Sequence, residues 1–431
     1  MEKKLAKELL SFLNNSPTSF HATSMIEEYI KEVGFKELFE EDKWEIKKGG
    51  KYYIKKNNSA IIAFEVGNGE LEKEGFRLIG AHTDSPGFKI KPNAEMLVEN
   101  HYVKLNTEVY GGPILSTWFD RPLSIAGRVV IKGKSLIKPE VKLLKVDRPI
   151  LIIPNLAIHM NRSVNEGFAI NKQKDTLPFV GFINDKLEKQ DFLINLISNE
   201  ICVNKEDILD FDLFLYEYEK GCLLGVEEEL ISAGRLDDLW MVYCGVKSLK
   251  DSTINKATKV MIAIDNEEIG SLTSQGANSS FIKNILERIC LAMKLDRVGF
   301  YRAISNSIMI SADLAHAIHP NYGEKHDPVN RPVLGKGPVI KKAASGSYST
   351  DAFSSAIFRN ICSEVKVPVQ EFVNRSDVRG GTTIGPMMSA DLSIPVIDMG
   401  APLLGMHSVR ELASVIDNYY CIKAFTKFYE N

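Results

Sequence analysis

Seven side chains in this sequence have the types and spacing for metal-assisted chemistry, and each also has a plain structural reading. His82 and Asp84 follow the apolar run Leu78-Ile-Gly-Ala, and their i, i+2 spacing sends both side chains to one side if extended geometry continues that far. His-x-Asp is either a ligand imidazole with the carboxylate that fixes its tautomer, or two unrelated turn residues. Glu267 and Glu268 leave the strand-like run Val260-Met-Ile-Ala-Ile-Asp-Asn. Two adjacent acids at the end of a buried strand are costly without a cation to receive them. One carboxylate could then ligate a metal while its neighbour takes a proton from water. The plain alternative is a solvated loop in which Asp265 caps a helix. Asp313 closes Ser307-Ile-Met-Ile-Ser-Ala, Asp237 lies in Gly234-Arg-Leu-Asp-Asp-Leu, and His407 lies in Gly405-Met-His-Ser-Val-Arg-Glu. Taken singly, Asp237 complements a helix dipole, His407 caps a helix and Asp313 pairs with a nearby base. Taken together, two histidines and three carboxylates form a mixed nitrogen and oxygen donor set suited to a pair of zinc-like ions with one carboxylate bridging.

Regular elements must carry such residues to one place. Residues 3–33 show helical periodicity, with one apolar stripe through Leu5, Leu9, Leu10, Phe12 and Leu13 and a second through Met25, Ile26 and Ile30. Strand-like runs follow at Lys51-Tyr-Tyr-Ile-Lys, Ser59-Ala-Ile-Ile-Ala-Phe-Glu-Val and Phe76-Arg-Leu-Ile-Gly-Ala-His. From about 95 to 230 the texture shifts to short β-like runs, among them Ile125-Ala-Gly-Arg-Val-Val-Ile and Pro149-Ile-Leu-Ile-Ile, with one helix near 190–201. Beyond Gly234, helices over 236–249 and 279–293 alternate with the strands Lys259-Val-Met-Ile-Ala-Ile and Ser307-Ile-Met-Ile-Ser. This alternation predicts an α/β fold: a mixed, mostly parallel sheet covered by helices on both faces, with an inserted β-rich domain. The expected divisions are 1–94 and 231–431 for the two parts of the main domain and 95–230 for the insert. The stretch 319–346, rich in Pro, Gly and Lys, reads as an ordered loop near a site.

Composition narrows the classes. The chain has 431 residues, 53 Lys+Arg and 56 Asp+Glu, and its formal charge of −3 lacks the basic excess of a nucleic-acid binder and any acidic tail. With 44% hydrophobic and 25% charged residues it reads as an ordinary globular protein of two or three domains. The first residues interrupt their apolar positions with charge, unlike a secretory signal, and no run approaches the ~18 apolar residues that cross a bilayer. Six cysteines without a C-x-x-C pair fit reduced thiols and a cytoplasmic location. Neither a nucleic-acid nor a membrane partner is expected.

Six segments resemble the aspartyl aminopeptidase family of dinuclear zinc exopeptidases, which includes vacuolar aminopeptidase I relatives. They are Ala81-His-Thr-Asp-Ser-Pro-Gly, Gly234-Arg-Leu-Asp-Asp-Leu, Asp265-Asn-Glu-Glu-Ile-Gly-Ser, Ser311-Ala-Asp-Leu-Ala-His-Ala-Ile-His-Pro-Asn-Tyr, Gly381-Thr-Thr-Ile-Gly-Pro and Met406-His-Ser-Val-Arg-Glu. Their order and spread cover essentially the whole chain. The resemblance implies two zinc ions per subunit, one bound by His82 and Asp313, the other by Glu268 and His407, with Asp237 bridging. Mn or Co also suits so oxygen-rich a set. It implies Glu267 as general base and Asp84 as the orienter of His82. His316, Lys341 and Tyr348 fall where the family has substrate-contacting groups. By that likeness His316 and Tyr348 support the reaction-centre oxygen, and Lys341 attracts an acidic first side chain.

His159, in Ile153-Pro-Asn-Leu-Ala-Ile-His-Met-Asn-Arg, matches a family histidine that reaches a neighbouring subunit's active site. That match implies dimerisation through the insert, and the family assembles further into dodecamers. The implied activity is the release of single N-terminal residues, acidic or neutral, from peptides with a free N-terminus. Two departures bear on it. Asp238 stands where many members have Asn, adding negative charge beside the metals, and Ser376-Asp-Val-Arg-Gly-Gly differs from the Asn-Asp-x-Pro-Cys-Gly segment of acid-specific relatives, with Arg379 reshaping the first pocket. Two other readings share the scaffold: a catalytically silent assembly or peptide-binding protein, and an amidohydrolase of acylated amino acids.

Overall fold

The computed structural model describes residues 1–183 and 191–431, and the chain divides into two compact units. The first comprises Met1–Asp84, Gly221–Met406 and Glu411–Asn431; the second comprises Ser85–Lys220 with the tetrapeptide His407–Arg410.

The first unit is built on a sheet whose nine described strands are β1 (Lys36–Glu37), β2 (Lys51–Lys56), β3 (Ala60–Glu65), β4 (Phe76–His82), β5 (Thr258–Ile264), β6 (Ile308–Ala312), β7 (Val339–Lys341), β8 (Gln370–Phe372) and β9 (Val396–Gly400). Their spatial order is β1-β2-β3-β5-β4-β6-β9-β7-β8. The contiguous block β5, β4, β6 and β9 is parallel, as are the edge pairs β1/β2 and β7/β8, whereas β2/β3, β3/β5 and β9/β7 are antiparallel. The longer helices are α1 (Glu2–Asn15), α2 (Ser19–Lys31), α3 (Leu236–Asp251), α4 (Phe281–Ala292), α5 (Arg297–Ser305), α6 (Ala352–Glu364), α7 (Ile384–Leu392) and α8 (Val415–Tyr429).

The two-residue period of a strand explains how helices come to cover both faces. Ile61, Ala63, Ile79, Ala81, Met261 and Ala263 join one apolar core with α1, α2, α3, α6 and α8. Their neighbours Ile62, Phe64, Leu78, Val260, Ile262 and Ile264 join a second core with α4, α5 and α7. A strand buried on both faces reads as a continuous apolar run, and every residue of β5 is buried. The helix α3 packs closely enough that a Cβ on Gly245 would come within 2.3 Å of the Met261 sulfur. That approach requires glycine.

The second unit contains a six-stranded antiparallel sheet in the order Lys138–Lys145, Leu123–Ser135, Ile208–Glu217, Gly87–Val98, Tyr102–Tyr110 and Phe179–Phe182. Leu193 and Ile197 of the helix Phe192–Ile201 share a core with Phe88, Leu105, Ile125 and Leu213 from this sheet.

Several expectations shift. The breaks fall at 85 and 221 rather than 95 and 231, because the long strand Gly87–Val98 pairs within the insert and Cys222–Leu224 pairs back to Leu230–Ala233 in the first unit. Pro149-Ile-Leu-Ile-Ile makes isolated bridges instead of a strand, with Pro149 and Pro154 unable to donate to a ladder at its two ends. The expected helix over 190–201 is present from Phe192, and its first position, 190, lies outside the described residues. The stretch 319–346 contains β7, which enters the main sheet beside β9. Asp417 of α8 anchors the approach to β7 by accepting from Gly335 N at 2.6 Å and Gly337 N at 2.8 Å. Among the described residues no helix is long and apolar enough to cross a membrane.

Candidate active site

Three adjacent parallel strands deliver most of the candidate residues. In β5, β4 and β6, Ile264 stands opposite His82 and Ser311 opposite Gly80, so the carboxyl ends are level. β4 ends at His82, β5 runs into Asp265 and the Glu267-Glu268 turn, and β6 is followed by Asp313. The chain places β5 on one side of β4 and β6 on the other, the kind of switch point at which α/β sheets open a crevice. Asp237 enters from the start of α3, joined to Asp238 by a cis peptide bond. One donor atom from each of His82, Asp237, Asp238 and Asp313 lies within 4.8 Å of the others, and the same holds for His82, Glu267 and Glu268.

His82 Nδ1 lies 3.0 Å from the Asp84 carbonyl oxygen and 3.3 Å from Asp84 Oδ1, while Nε2 faces Asp237 Oδ1 at 3.6 Å. The acceptors at Nδ1 assign a proton there and turn Nε2 toward the cluster. Asp84 has a second role: its Oδ1 accepts from Glu267 N and its Oδ2 from Glu268 N, both at 3.1 Å. One buried carboxylate thus fixes an imidazole and the turn that carries two glutamates. Asn266 shapes that turn with φ of +65°, a left-handed conformation Asn tolerates, and its Oδ1 accepts from Thr273 Oγ1 and Gln275 Nε2 at 2.9 Å each. Behind the cluster, Asp237 N donates to Glu411 Oε2 at 3.1 Å and His82 N donates to Asp238 Oδ2 at 3.2 Å.

Burial opposes a charged His82, yet hydrogen bonds to Asp237 and Asp84 outweigh it and hold the imidazole pKa well above its ordinary value. Burial drives the Asp238 carboxyl well upward; the His82 charge opposes this, and Asp313 and Asp237 add to it. Glu267 is pushed up to about 8 by burial, with His82 opposing and Asp313, Glu268 and Asp84 adding. Burial and the Asp84 charge push Asp265 up to about 7. Carboxylates outnumber the one imidazole in this cluster, an excess of buried negative charge that divalent cations offset. Imidazole nitrogen with carboxylate oxygen is a donor set that zinc accepts, so the residues fit a zinc site.

The remaining candidates lie on other elements. Lys341, buried on β7, donates to the Leu314 carbonyl at 3.1 Å and lies 3.2 Å from Asp313 Oδ2. Burial opposes its charge, but Asp313, then Tyr348 and Asp398, hold its pKa above the usual lysine value. Its ammonium stands 5.3 Å from the centre of the Tyr348 ring, which packs with Ala315, Val339 and Phe372. His316 is exposed at the end of the short strand Ala315–His316.

His159 and His407 belong to the second unit. His159 sits on the exposed turn Ile158–Met160. His407 has a φ of +67°, and its Nδ1 lies 3.1 Å from the Gly112 carbonyl, which leaves Nε2 as its second donor position. Sequence reasoning gives Glu411 a place in a motif but no role, and does not single out Asp398. The signal for Asp398 was the one that marked Asp313, a carboxylate inside an apolar strand run, here Ile394-Pro-Val-Ile-Asp-Met-Gly.

Known proteins resemble this chain along nearly its whole length. The family model for the aminopeptidase I zinc metalloprotease (M18) matches residues 12–429. A probable M18 family aminopeptidase 2 of Clostridium novyi (strain NT) is 58% identical over 426 residues, covering 99% of this chain and 98% of that protein. A chain of the cryo-EM structure of the Ape4 and Nbr1 complex superposes with a TM-score of 0.96 at 36% identity, covering 99% of this chain and 86% of that one. A chain of the S. cerevisiae mApe1 dodecamer superposes with a TM-score of 0.86 at 27% identity, covering 99% and 96%. Fold, donor set and relatives together define a zinc metalloprotease. The chain belongs to the M18 family, and it is a metallo-aminopeptidase.

Proposed function

We propose that this aminopeptidase carries two zinc ions per subunit and releases single N-terminal residues from peptides, with Glu267 as general base. The observation that carries the reading is the convergence of His82, Asp237, Asp313, Glu267 and Glu268 at the ends of adjacent elements. His82 and Asp313 would hold one ion, Glu268 and His407 the other, and Asp237 would bridge. Zinc, when bound, supplies Lewis acidity: it polarises the scissile carbonyl and lowers the pKa of water toward ~7.

The chain's own groups do the rest. Glu267 takes a proton from the attacking water and delivers it to the departing amine. Its raised pKa in the metal-free cluster comes first from burial and then from the neighbouring carboxylates, whose negative field a cation would relieve. Asp84 fixes His82 and the glutamate turn. His316 and Tyr348 support the oxygen on which negative charge develops. His159 reaches a neighbouring subunit's site, and exposed Leu156, Ile158 and Met160 beside it supply apolar surface for that contact. The dodecamer of the mApe1 relative supports a homo-oligomer, which we read as assembled from such dimers. Six unpaired cysteines support a cytoplasmic setting.

Hydrolysis of aminoacyl-arylamides with and without chelator, alongside Glu267→Gln, tests the reading. We expect chelator to abolish turnover and Glu267→Gln to lower kcat by about 10²–10⁴-fold with zinc retained. Full activity in the Gln variant would remove Glu267 from its role, and cleavage of N-blocked substrates alone would indicate an amidohydrolase. A panel with Asp, Glu, Leu, Met or Lys as first residue decides between acidic and neutral preference. Because the Lys341 charge is already engaged by Asp313, the same panel on Lys341→Ala shows whether that lysine selects acidic residues.

A further inference from the structure

The segment Gly381-Thr-Thr-Ile-Gly-Pro and the loop that carries Tyr348 are about 35 residues apart in the chain, yet both are tied to one fully buried residue, Asp398 on β9. Asp398 Oδ1 accepts from Thr383 Oγ1 at 2.6 Å, and Oδ2 accepts from Ser349 N at 2.5 Å. Its backbone repeats the connection: Asp398 N donates to Thr350 Oγ1 at 2.8 Å, and that hydroxyl donates to the Asp398 carbonyl at 3.3 Å. Thr382 Oγ1 closes the triangle by donating to the Ser347 carbonyl at 3.2 Å.

The carboxylate is also fitted against the start of α7. A Cβ on Gly385 would fall 2.2 Å from Oδ1 and 2.4 Å from Oδ2, so only glycine leaves room for it. Thr383, the residue it grips, caps that helix through Gly385 N at 3.3 Å. A buried carboxylate is unfavourable unless its lone pairs are satisfied, and this one directs two of them to segments far apart in the chain. Tyr348, directly before Ser349, lies against Lys341, which in turn touches Asp313.

We propose that Asp398 is a positioning residue for the aminopeptidase reaction, clamping Ser349 N and Thr383 Oγ1 so that Tyr348 is held at the reacting centre. The proposal rests on the reading above in which Tyr348 supports the reaction-centre oxygen. Asp398→Asn keeps the volume and replaces one acceptor by a donor. Misplacing a reacting group by about 1 Å can cost on the order of 10²-fold in rate.

The test combines steady-state kinetics on an aminoacyl-arylamide, zinc content and amide hydrogen exchange for wild type, Asp398→Asn, Tyr348→Phe and the double variant. We expect Asp398→Asn to lower kcat by about 10–100-fold with KM within about twofold, zinc content unchanged and faster exchange at Ser349. The double variant should be no slower than Tyr348→Phe alone. Wild-type kcat in Asp398→Asn, or losses that multiply in the double variant, overturns the proposal. Should Asp398→Asn not fold, Thr383→Val removes the donor to Oδ1 and carries the same comparison. If Tyr348→Phe leaves kcat intact, the role given to Tyr348 fails instead. Ser349 exchange then decides the clamp, and an unchanged rate overturns it.

Discussion

Asp84 is the residue on which the most geometry depends, because one carboxylate receives the amides of Glu267 and Glu268 and also lies beside His82 Nδ1. Asn at this position offers one acceptor where two are needed. We expect Asp84→Asn to lower both zinc affinity and kcat by about 10–100-fold, measured by chelator competition and by turnover at saturating zinc. Unchanged zinc affinity would show that Asp84 holds neither His82 nor the Glu268 turn in a ligating position. The pairing of His82 with Asp84 was legible as an i, i+2 spacing at a strand end. The hold on Glu267 was not, since that amide is 183 residues away and the contact depends on β4 and β5 lying side by side. Lys341 shows the same limit: the family resemblance suggests an acidic ligand for it, and only the fold reveals that Asp313 is its neighbour.

The elements place these residues because β5 and β4 are apolar on both faces and so must lie inside a helix-covered sheet. Ile262 packs into the core shared with α4, α5 and α7. Ile262→Ala should cost about 2–5 kcal/mol, read from denaturant midpoints of the zinc-loaded protein. A loss below about 0.5 kcal/mol would mean that this face is not closely packed. Helical and alternating patterns made α1 to α4 and β2 to β6 legible. The boundaries of the insert were read late because the strand Gly87–Val98 follows β4 with only four residues between them, and local pattern does not tell which sheet a strand will join. The strand β7 was hidden in a stretch rich in Pro and Gly, where three residues carry too little periodicity to stand out.

For the whole molecule, the crowding of carboxylates couples stability to pH and to metal. In the metal-free fold Glu267 titrates at about 8 against its usual 4.5, so the folded chain holds this proton more tightly than the unfolded chain. Stability from that difference is complete below the unfolded value and is lost as pH rises through the folded one. Asp265, raised from 3.8 to about 7, acts in the same direction. The chelated protein should therefore melt at progressively lower temperature from about pH 5 to pH 8, and zinc should flatten or reverse that slope, since deprotonated carboxylates are the ligating forms. A metal-free melting temperature that rises across this range would contradict the charge balance described above.

The most direct measurement is anomalous diffraction at the zinc edge from crystals of the zinc-loaded enzyme. We expect two peaks per subunit, one against His82 and Asp313 and one against Glu268 and His407, with Asp237 reaching both and Glu267 contacting neither. A single peak, or a peak coordinated by Glu267, would contradict the assignment of five ligands and a separate general base.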